Sequence, residues 1–513
     1  MSEMQGGLNR RNFLQGAAGL GAVLAAPAVM AKAETGTGAA NVITGLSASQ
    51  LSAAIRQREL GCVEVMTAYL DRIDRLNPTY NAIVSLRDRG ELLAEARQAD
   101  EELARGQYRG WMHGMPHAIK DLSDAKGLLT SYGSPLFTDN IATGDDLFVS
   151  RIRQAGAIFI GKTNAPEFGL GSHSYNPVFG TTCNAYNPAL TAGGSSGGAA
   201  VVLATQMLPV ADGSDMMGSL RNPAAFNNII GFRPSRGRVA EYPSGDVFYQ
   251  QLPVSGPMGR NVEDTIRLLN TMAGYDPRDP GSLRDHIPDR ESFTPARLDD
   301  YRVGWMGDYQ GYLTTEPGVL TLCETALSAL EAQGVVVEPC MPDYSMASLW
   351  DTWITLRSWA LQGLKPFYDK PESRALLKPE VVWEIERGMQ VGAADVSRAG
   401  VERTNWYRAL LKLFDRYDVL ALPTAQVYPF DAQQHWPKAI NGRSMDTYHR
   451  WMEVVIGGTL AGLPVVSLPA GFNDAGLPMG MQFIGRYGED QQVLEFALSY
   501  EQVTSYLDRR PSL

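Results

Sequence analysis

Two glycine–serine stretches, 24 residues apart from Ser195 to Ser219, constrain this chain more than any other feature. The first is Gly193-Gly194-Ser195-Ser196-Gly197-Gly198, followed by a small-residue helix expected over 199–205 and a strand expected over 207–211. The second, Gly213-Ser214-Asp215-Met216-Met217-Gly218-Ser219, is read as the loop after that strand. Taken singly, each has a plain reading: a flexible or anion-binding loop at a helix start, and an ordinary strand-to-helix turn. Together they argue otherwise, because a linker is not bounded so closely by apolar elements, and loops that follow strands are where α/β sheets display catalytic groups.

The surrounding pattern fits an α/β protein. Helical periodicity over 147–154, 262–272, 316–333 and 490–502 alternates with short apolar runs over 157–160, 334–337, 419–423, 464–469 and 479–484. We expect one large domain with a mixed, mostly parallel central sheet covered by helices. Its core spans about 43–290 and 415–513, and the Trp- and Tyr-rich stretch 345–415 forms a helical layer on the substrate side. With 513 residues and 44% hydrophobic side chains, a large core needs no disulfide staples.

Charge and cysteine usage exclude several classes. The net charge is −11, and the 45 basic residues are scattered among 56 acidic ones, so no basic patch offers itself to nucleic acid. Cys62, Cys183, Cys323 and Cys340 contain no Cys-x-x-Cys pair, which argues against zinc or thioredoxin-like redox chemistry. They read as buried thiols, with Cys323 and Cys340 close enough in sequence to pair. His113 and His117 are four apart, but Gly114 and Pro116 prevent the helix that would align them on a metal. No metal and no cofactor is expected, since no dinucleotide fingerprint and no phosphate loop is present.

Residues 1–33 read as a signal peptide. Arg10 and Arg11 resemble a twin-arginine motif, an apolar run follows over 16–30, and Ala31-Lys32-Ala33 offers a small-x-small cleavage site before Glu34. The expected destination is the periplasm or the exterior, with residues 34–513 as the mature domain. No later segment is long and apolar enough for a membrane span.

From about residue 43 onward the chain resembles the amidase-signature family, and the block 193–231 carries the most specific likeness. Matching segments are Gly114-Met115-Pro116 with Ile119-Lys120-Asp121, Gly161-Lys162-Thr163-Asn164 with Glu167-Phe168, and Gly218-Ser219-Leu220-Arg221 with Pro223-Ala224. Gly231-Phe232-Arg233-Pro234, Gly462-Leu463-Pro464, Pro469-Ala470-Gly471 and Gly476-Leu477-Pro478 extend it to the C-terminus. The resemblance implies the amidase-signature fold and three catalytic residues: Ser219 as nucleophile, Ser195 as bridging serine preceded by a cis peptide, and Lys120 as base. A serine hydroxyl needs such a base, and a lysine serves only when burial or positive potential lowers its pKa from about 10.4. The resemblance also implies an oxyanion hole from the backbone N–H groups of Met216, Met217, Gly218 and Ser219, braced by Ser196, Asp215 and Arg221.

One departure is Met217, where the family usually carries glycine: either it adopts a strained positive φ or the loop takes another path. Met216 and Met217 are expected at the mouth of the acyl pocket, with His173 nearby in sequence. This variant resembles bacterial members acting on aryl amides and carbamates. The expected activity is therefore hydrolysis of a small amide (an aryl amide or a peptide amide) or a carbamate through a seryl acyl-enzyme, with esterase or urethanase side activity, by a monomer or homodimer. The alternatives are a non-catalytic periplasmic binding protein on the same fold and an amidotransferase A-type subunit.

Overall fold

The computed structural model describes residues 37–249 and 251–513, so the expected signal peptide lies outside the described residues. The chain first lays down a helical layer. Ser47 caps the helix Ala48–Arg56 by accepting from Gln50 N–H, while the Gln50 side chain reaches back to Ser47 N–H in a capping box. The helix Cys62–Tyr80 follows and carries Pro78 within its last turn, beyond the Asn77-Pro78 boundary that the sequence suggests. Their apolar faces, including Leu51, Ile55, Val65 and Ile73, pack into one core cluster with a three-stranded sheet. That sheet contains β1 (Ile83–Val84), β2 (Pro116–Lys120) and β3 (Ile158–Thr163), in the order β1-β3-β2. A small hairpin, β4 (Tyr175–Asn176) and β5 (Gly180–Thr181), comes next.

An eight-stranded sheet forms the centre. Its strands are β6 (Ala211–Asp215), β7 (Ile230–Arg233), β8 (Val254–Gly259), β9 (Arg302–Trp305), β10 (Val336–Pro339), β11 (Val419–Pro423), β14 (Val465–Phe472) and β15 (Pro478–Ile484). The two-residue strands β12 (Ala439–Ile440) and β13 (Arg443–Ser444) form a separate hairpin. The spatial order is β10-β9-β11-β15-β14-β7-β8-β6. The sheet is mixed, as expected, but parallel pairing is confined to β10-β9-β11, and every other border is antiparallel. Alternating helices and apolar runs suggest crossovers, which favour parallel strands. Here the tight turn at 473–477 returns β14 directly onto β15, and β8 pairs back onto both β7 and β6.

A second correction concerns β6. The expected strand over 207–211 is displaced: β6 runs Ala211–Asp215, so it takes in Gly213, Ser214 and Asp215, read as the start of the loop, and pairs with β8 along its whole length. The helix Gly197–Ala204 runs buried between the sheets, and a Cβ at Gly198 would collide with the backbone of Asn164. Only glycine permits that approach. Between β10 and β11 the chain is helical, with Met346–Ala360, Pro379–Gly388 and Ala393–Phe414 as its main helices. Trp353, Trp406 and Leu410 of this layer join the core cluster on its side of the sheet. Among the described residues, no helix is long and apolar enough to cross a membrane, and all four cysteines are free.

Candidate active site

Lys120 ends β2, at the edge of the small sheet, where β2 packs beside β6 of the large one. Its side chain is fully buried. Nζ lies 2.8 Å from Ser195 Oγ, 2.8 Å from Ser196 Oγ and 3.0 Å from Ser214 Oγ, with the Ser214 carbonyl at 3.3 Å. Burial lowers the Lys120 pKa from 10.5 to about 7, against the opposing pull of the Asp212 and Asp215 carboxylates. A lysine in this state is neutral for much of its population at neutral pH, and three of the four groups it touches are hydroxyls.

The two loops meet at this amine. The Gly194–Ser195 peptide is cis, and the Gly194 carbonyl accepts from Ser172 Oγ at 2.6 Å. Ser196 N–H donates to the Ser219 carbonyl at 3.1 Å, so the second loop is tied directly to the first. Ser195, Ser214 and Ser219 line one cavity of about 180 Å³, and Ser219 is buried to 8% exposure.

Asp215 organises the turn that carries Ser219. Its carboxylate accepts from Gly218 N–H at 2.9 Å, from Leu220 N–H at 3.2 Å, and from Arg221 Nε and Nη2 at 3.0 Å each. Burial alone would raise its pKa, but Arg221 and then Arg233 hold the carboxyl well below the usual carboxylate range. Arg221 is in turn fixed by Gln482 Oε1 at 2.7 Å, Thr459 Oγ1 at 3.0 Å and the Val455 carbonyl at 3.0 Å. Gly218 adopts φ +78°, and a Cβ there would lie 2.9 Å from Asn222 Oδ1.

Met217 does not take a positive φ. The left-handed step of the turn falls on Gly218, and Met217 packs at 3% exposure into the apolar cluster with Met452 and Trp353. Met216 and Met217 both line the cavity. Of the four backbone donors expected in an oxyanion hole, Gly218 N–H is occupied by Asp215. Among the described residues, no protein acceptor receives the N–H of Met216, Met217 or Ser219.

His173 does not reach the cavity, contrary to expectation. Its Nδ1 lies 2.7 Å from Thr191 Oγ1 and its Nε2 lies 3.1 Å from the Ala432 carbonyl, within a cluster with Tyr175 and Phe430. Burial lowers its pKa to about 4, so it is a neutral ring that buttresses the first loop. His113 is likewise turned away, with Nε2 at 2.9 Å from the Ala99 carbonyl.

Several contributors leave no signal in the sequence. His117 Nε2 lies 3.0 Å from Asp212 Oδ1, and the other oxygen of Asp212 accepts from Lys120 N–H at 3.2 Å. Both side chains are fully buried. Ser214 touches Lys120 from within the second glycine–serine motif, and Asp212 falls between the expected strand and that motif, with nothing in the sequence to single it out. Arg357, from the helical layer, forms part of the cavity wall.

A fold with a mixed eight-stranded sheet, and two serine loops converging on a buried amine, define a class of hydrolytic enzyme. The amidase family model matches residues 64–494, and the chain belongs to that family. It is an amide hydrolase. An acylamidase of Rhodococcus erythropolis is 31% identical over 474 residues, covering 91% of this chain and 97% of the relative. The A-type subunit of the glutamyl-tRNA(Gln) amidotransferase from Cyanothece sp. is 32% identical over 494 residues, covering 91% of this chain and 100% of the relative. The crystal structure of a bacterial aryl acylamidase of the amidase-signature family matches with a TM-score of 0.83 at 27% identity, over 90% of this chain and 98% of that one.

Proposed function

We propose that this amidase cleaves small aryl-type amides, and carbamates as a side activity, through an acyl-enzyme on Ser219. The observation that carries the reading is the buried Lys120 amine at 2.8 Å from Ser195 Oγ, with its pKa near 7. In the neutral form, Lys120 takes the Ser195 proton while Ser195 takes that of Ser219, and the freed Ser219 oxygen attacks the acyl carbon. The C–N bond then breaks as the proton returns to the leaving nitrogen, and water hydrolyses the resulting ester by the same relay. The N–H groups of Met216, Met217 and Ser219 stabilise the oxyanion, and Gly218 N–H serves the turn through Asp215. Ser196 and Ser214 hold the amine in place, and Arg221 holds Asp215.

An aryl preference is supported by the apolar side chains Leu122, Phe168, Leu170, Met217, Leu361 and Met452, which line the cavity beside the serines. Its volume of about 180 Å³ suits one substituted ring, since a cavity of ~150 Å³ holds benzene. The name of the structurally similar aryl acylamidase points the same way. The twin-arginine segment supports export to the periplasm or the exterior.

Reaction with a fluorophosphonate, followed by peptide mass analysis, tests the nucleophile. The adduct is expected on Ser219 and is lost in Lys120→Met; an active preparation labelled elsewhere overturns the assignment. The second reading, amidotransferase A-type action, draws on the identity to the Cyanothece protein. Release of free aniline from a simple anilide, with no partner protein added, separates the two.

A further inference from the structure

The cavity holds one cationic side chain from outside the serine loops, and its hydrogen bonds are unevenly met. Arg357, on the helix Met346–Ala360, is 3% exposed and lines the cavity with Met216 and Ser219. Its Nε donates to Glu384 Oε1 at 2.5 Å and its Nη2 to Tyr448 Oη at 2.9 Å. Among the described residues, Nη1 has only the Met216 thioether, at 3.2 Å. Sulfur is a weak acceptor, and Nη1 carries two hydrogens. The guanidinium is therefore anchored on two sides and underused on the third, the side toward Met216.

The charge balance selects what belongs there. Glu384 is fully buried and already compensates Arg357, and it accepts additionally from Tyr448 Oη at 2.7 Å and Ser358 Oγ at 3.0 Å. Among the described residues, no acidic side chain lines the cavity. A substrate carboxylate would place a second anion on one arginine that is almost wholly buried, where unbalanced charge is costly. A neutral acceptor gains a charge-assisted donor without that cost. We propose that Arg357 is a specificity-determining residue, whose Nη1 donates to a neutral oxygen acceptor such as a ketone, nitro group or second amide carbonyl on the substrate's ring-sized apolar group. The Met216 thioether yields its place to that oxygen, as a flexible side chain can.

This inference rests on the reading of the cavity as the amide site. Its test compares para-acetyl and para-isopropyl anilides and benzamides, which are near-isosteric but differ in the acceptor, with the para-carboxylates as a third arm. On whichever side of the amide the ring occupies the cavity, wild-type kcat/KM is expected to favour acetyl over isopropyl by roughly ten- to a hundredfold, the range of a hydrogen bond to a charged group. Arg357→Lys keeps a cation for Glu384 but loses Nη1, and the double variant Arg357→Met/Glu384→Gln removes both charges. Both are expected to bring the acetyl-to-isopropyl ratio down at least about fivefold from the wild-type ratio, a comparison in which the electronic effect of the acetyl group cancels. An unchanged ratio in a folded variant overturns the proposal. So does a wild-type preference for carboxylate over acetyl, a measurement that needs no variant. Loss of phosphonate labelling at Ser219 would instead overturn the reading of the site itself.

Discussion

If Lys120 is the base, its titration must appear both in the rate and in the stability of the protein. With a pKa of about 7, the neutral share of the amine falls about tenfold per pH unit well below that point, so kcat/KM drops roughly a hundredfold from pH 8 to pH 5. The same shift has a thermodynamic counterpart. In the unfolded chain Lys120 returns to its ordinary value of 10.5, so between pH 7 and 10.5 the unfolded state binds more protons and stability rises with pH. Below pH 7 the full cost of burying the ammonium is present, and above 10.5 it is gone. The fall from 10.5 to about 7 corresponds to about 5 kcal/mol as an order of magnitude. Lys120→Met lacks this contribution. Its stability relative to wild type is therefore expected to be most favourable below pH 7, and to lose up to about 5 kcal/mol of that advantage by pH 10.5. Steady-state hydrolysis of a chromogenic anilide from pH 5 to 9, and urea unfolding of both proteins across pH 6 to 10, measure the two effects. A rate profile flat from pH 5 to 8, or a limb centred near 10, would refute the reasoning. So would a stability difference that ignores pH.

Other outcomes follow from the same geometry. Asp212→Asn removes the stronger of the two charges that favour the ammonium, so the acidic limb of kcat/KM moves to lower pH, whereas a purely structural role would change its height alone. Asp215→Asn leaves Arg221 and Arg233 without their buried counter-charge, and unfolding in urea should show a loss of about 3–5 kcal/mol. Gly218→Ala forces a side chain into a left-handed position beside Asn222; a cost of roughly 1–2 kcal/mol in stability is expected, with a fall in kcat. Replacing Arg10 and Arg11 together by lysine should retain the protein in the cytoplasm, as read by fractionation of the host cells; unchanged export would remove the twin-arginine reading.

Regular elements were legible wherever period and length agreed. The helices Leu147–Gln154 and Val262–Met272 and the strand Val419–Pro423 fall on the residues that periodicity selects. Strand β6 was not legible, because Gly213, Ser214 and Asp215 carry turn propensities. They form a strand because β8 pairs with their backbone and the site engages the side chains of Ser214 and Asp215, a tertiary effect that overrides local preference. Lys120, Ser195 and Ser219 were visible through their motifs. The pair His117–Asp212 was not, since a contact across 95 residues leaves no periodic trace. His173 shows the converse: nearness in sequence to the first loop put it beside the substrate, yet its ring nitrogens are engaged by Thr191 and Ala432. Arg357 lay between the segments of family likeness that end at Pro234 and resume at Gly462, so only packing could reveal it.

The amine stands on the small sheet and the hydroxyls it serves stand on β6 of the large sheet and the two loops beside it, and the parts are joined where His117 and Lys120 N–H both grip Asp212. Until that seam closes, the chain holds ordinary serine hydroxyls and a lysine that burial has not yet deprotonated, so no hydroxyl has its base. Turnover therefore depends on that seam being closed, and loss of turnover on heating should precede loss of helix content if the small sheet detaches first.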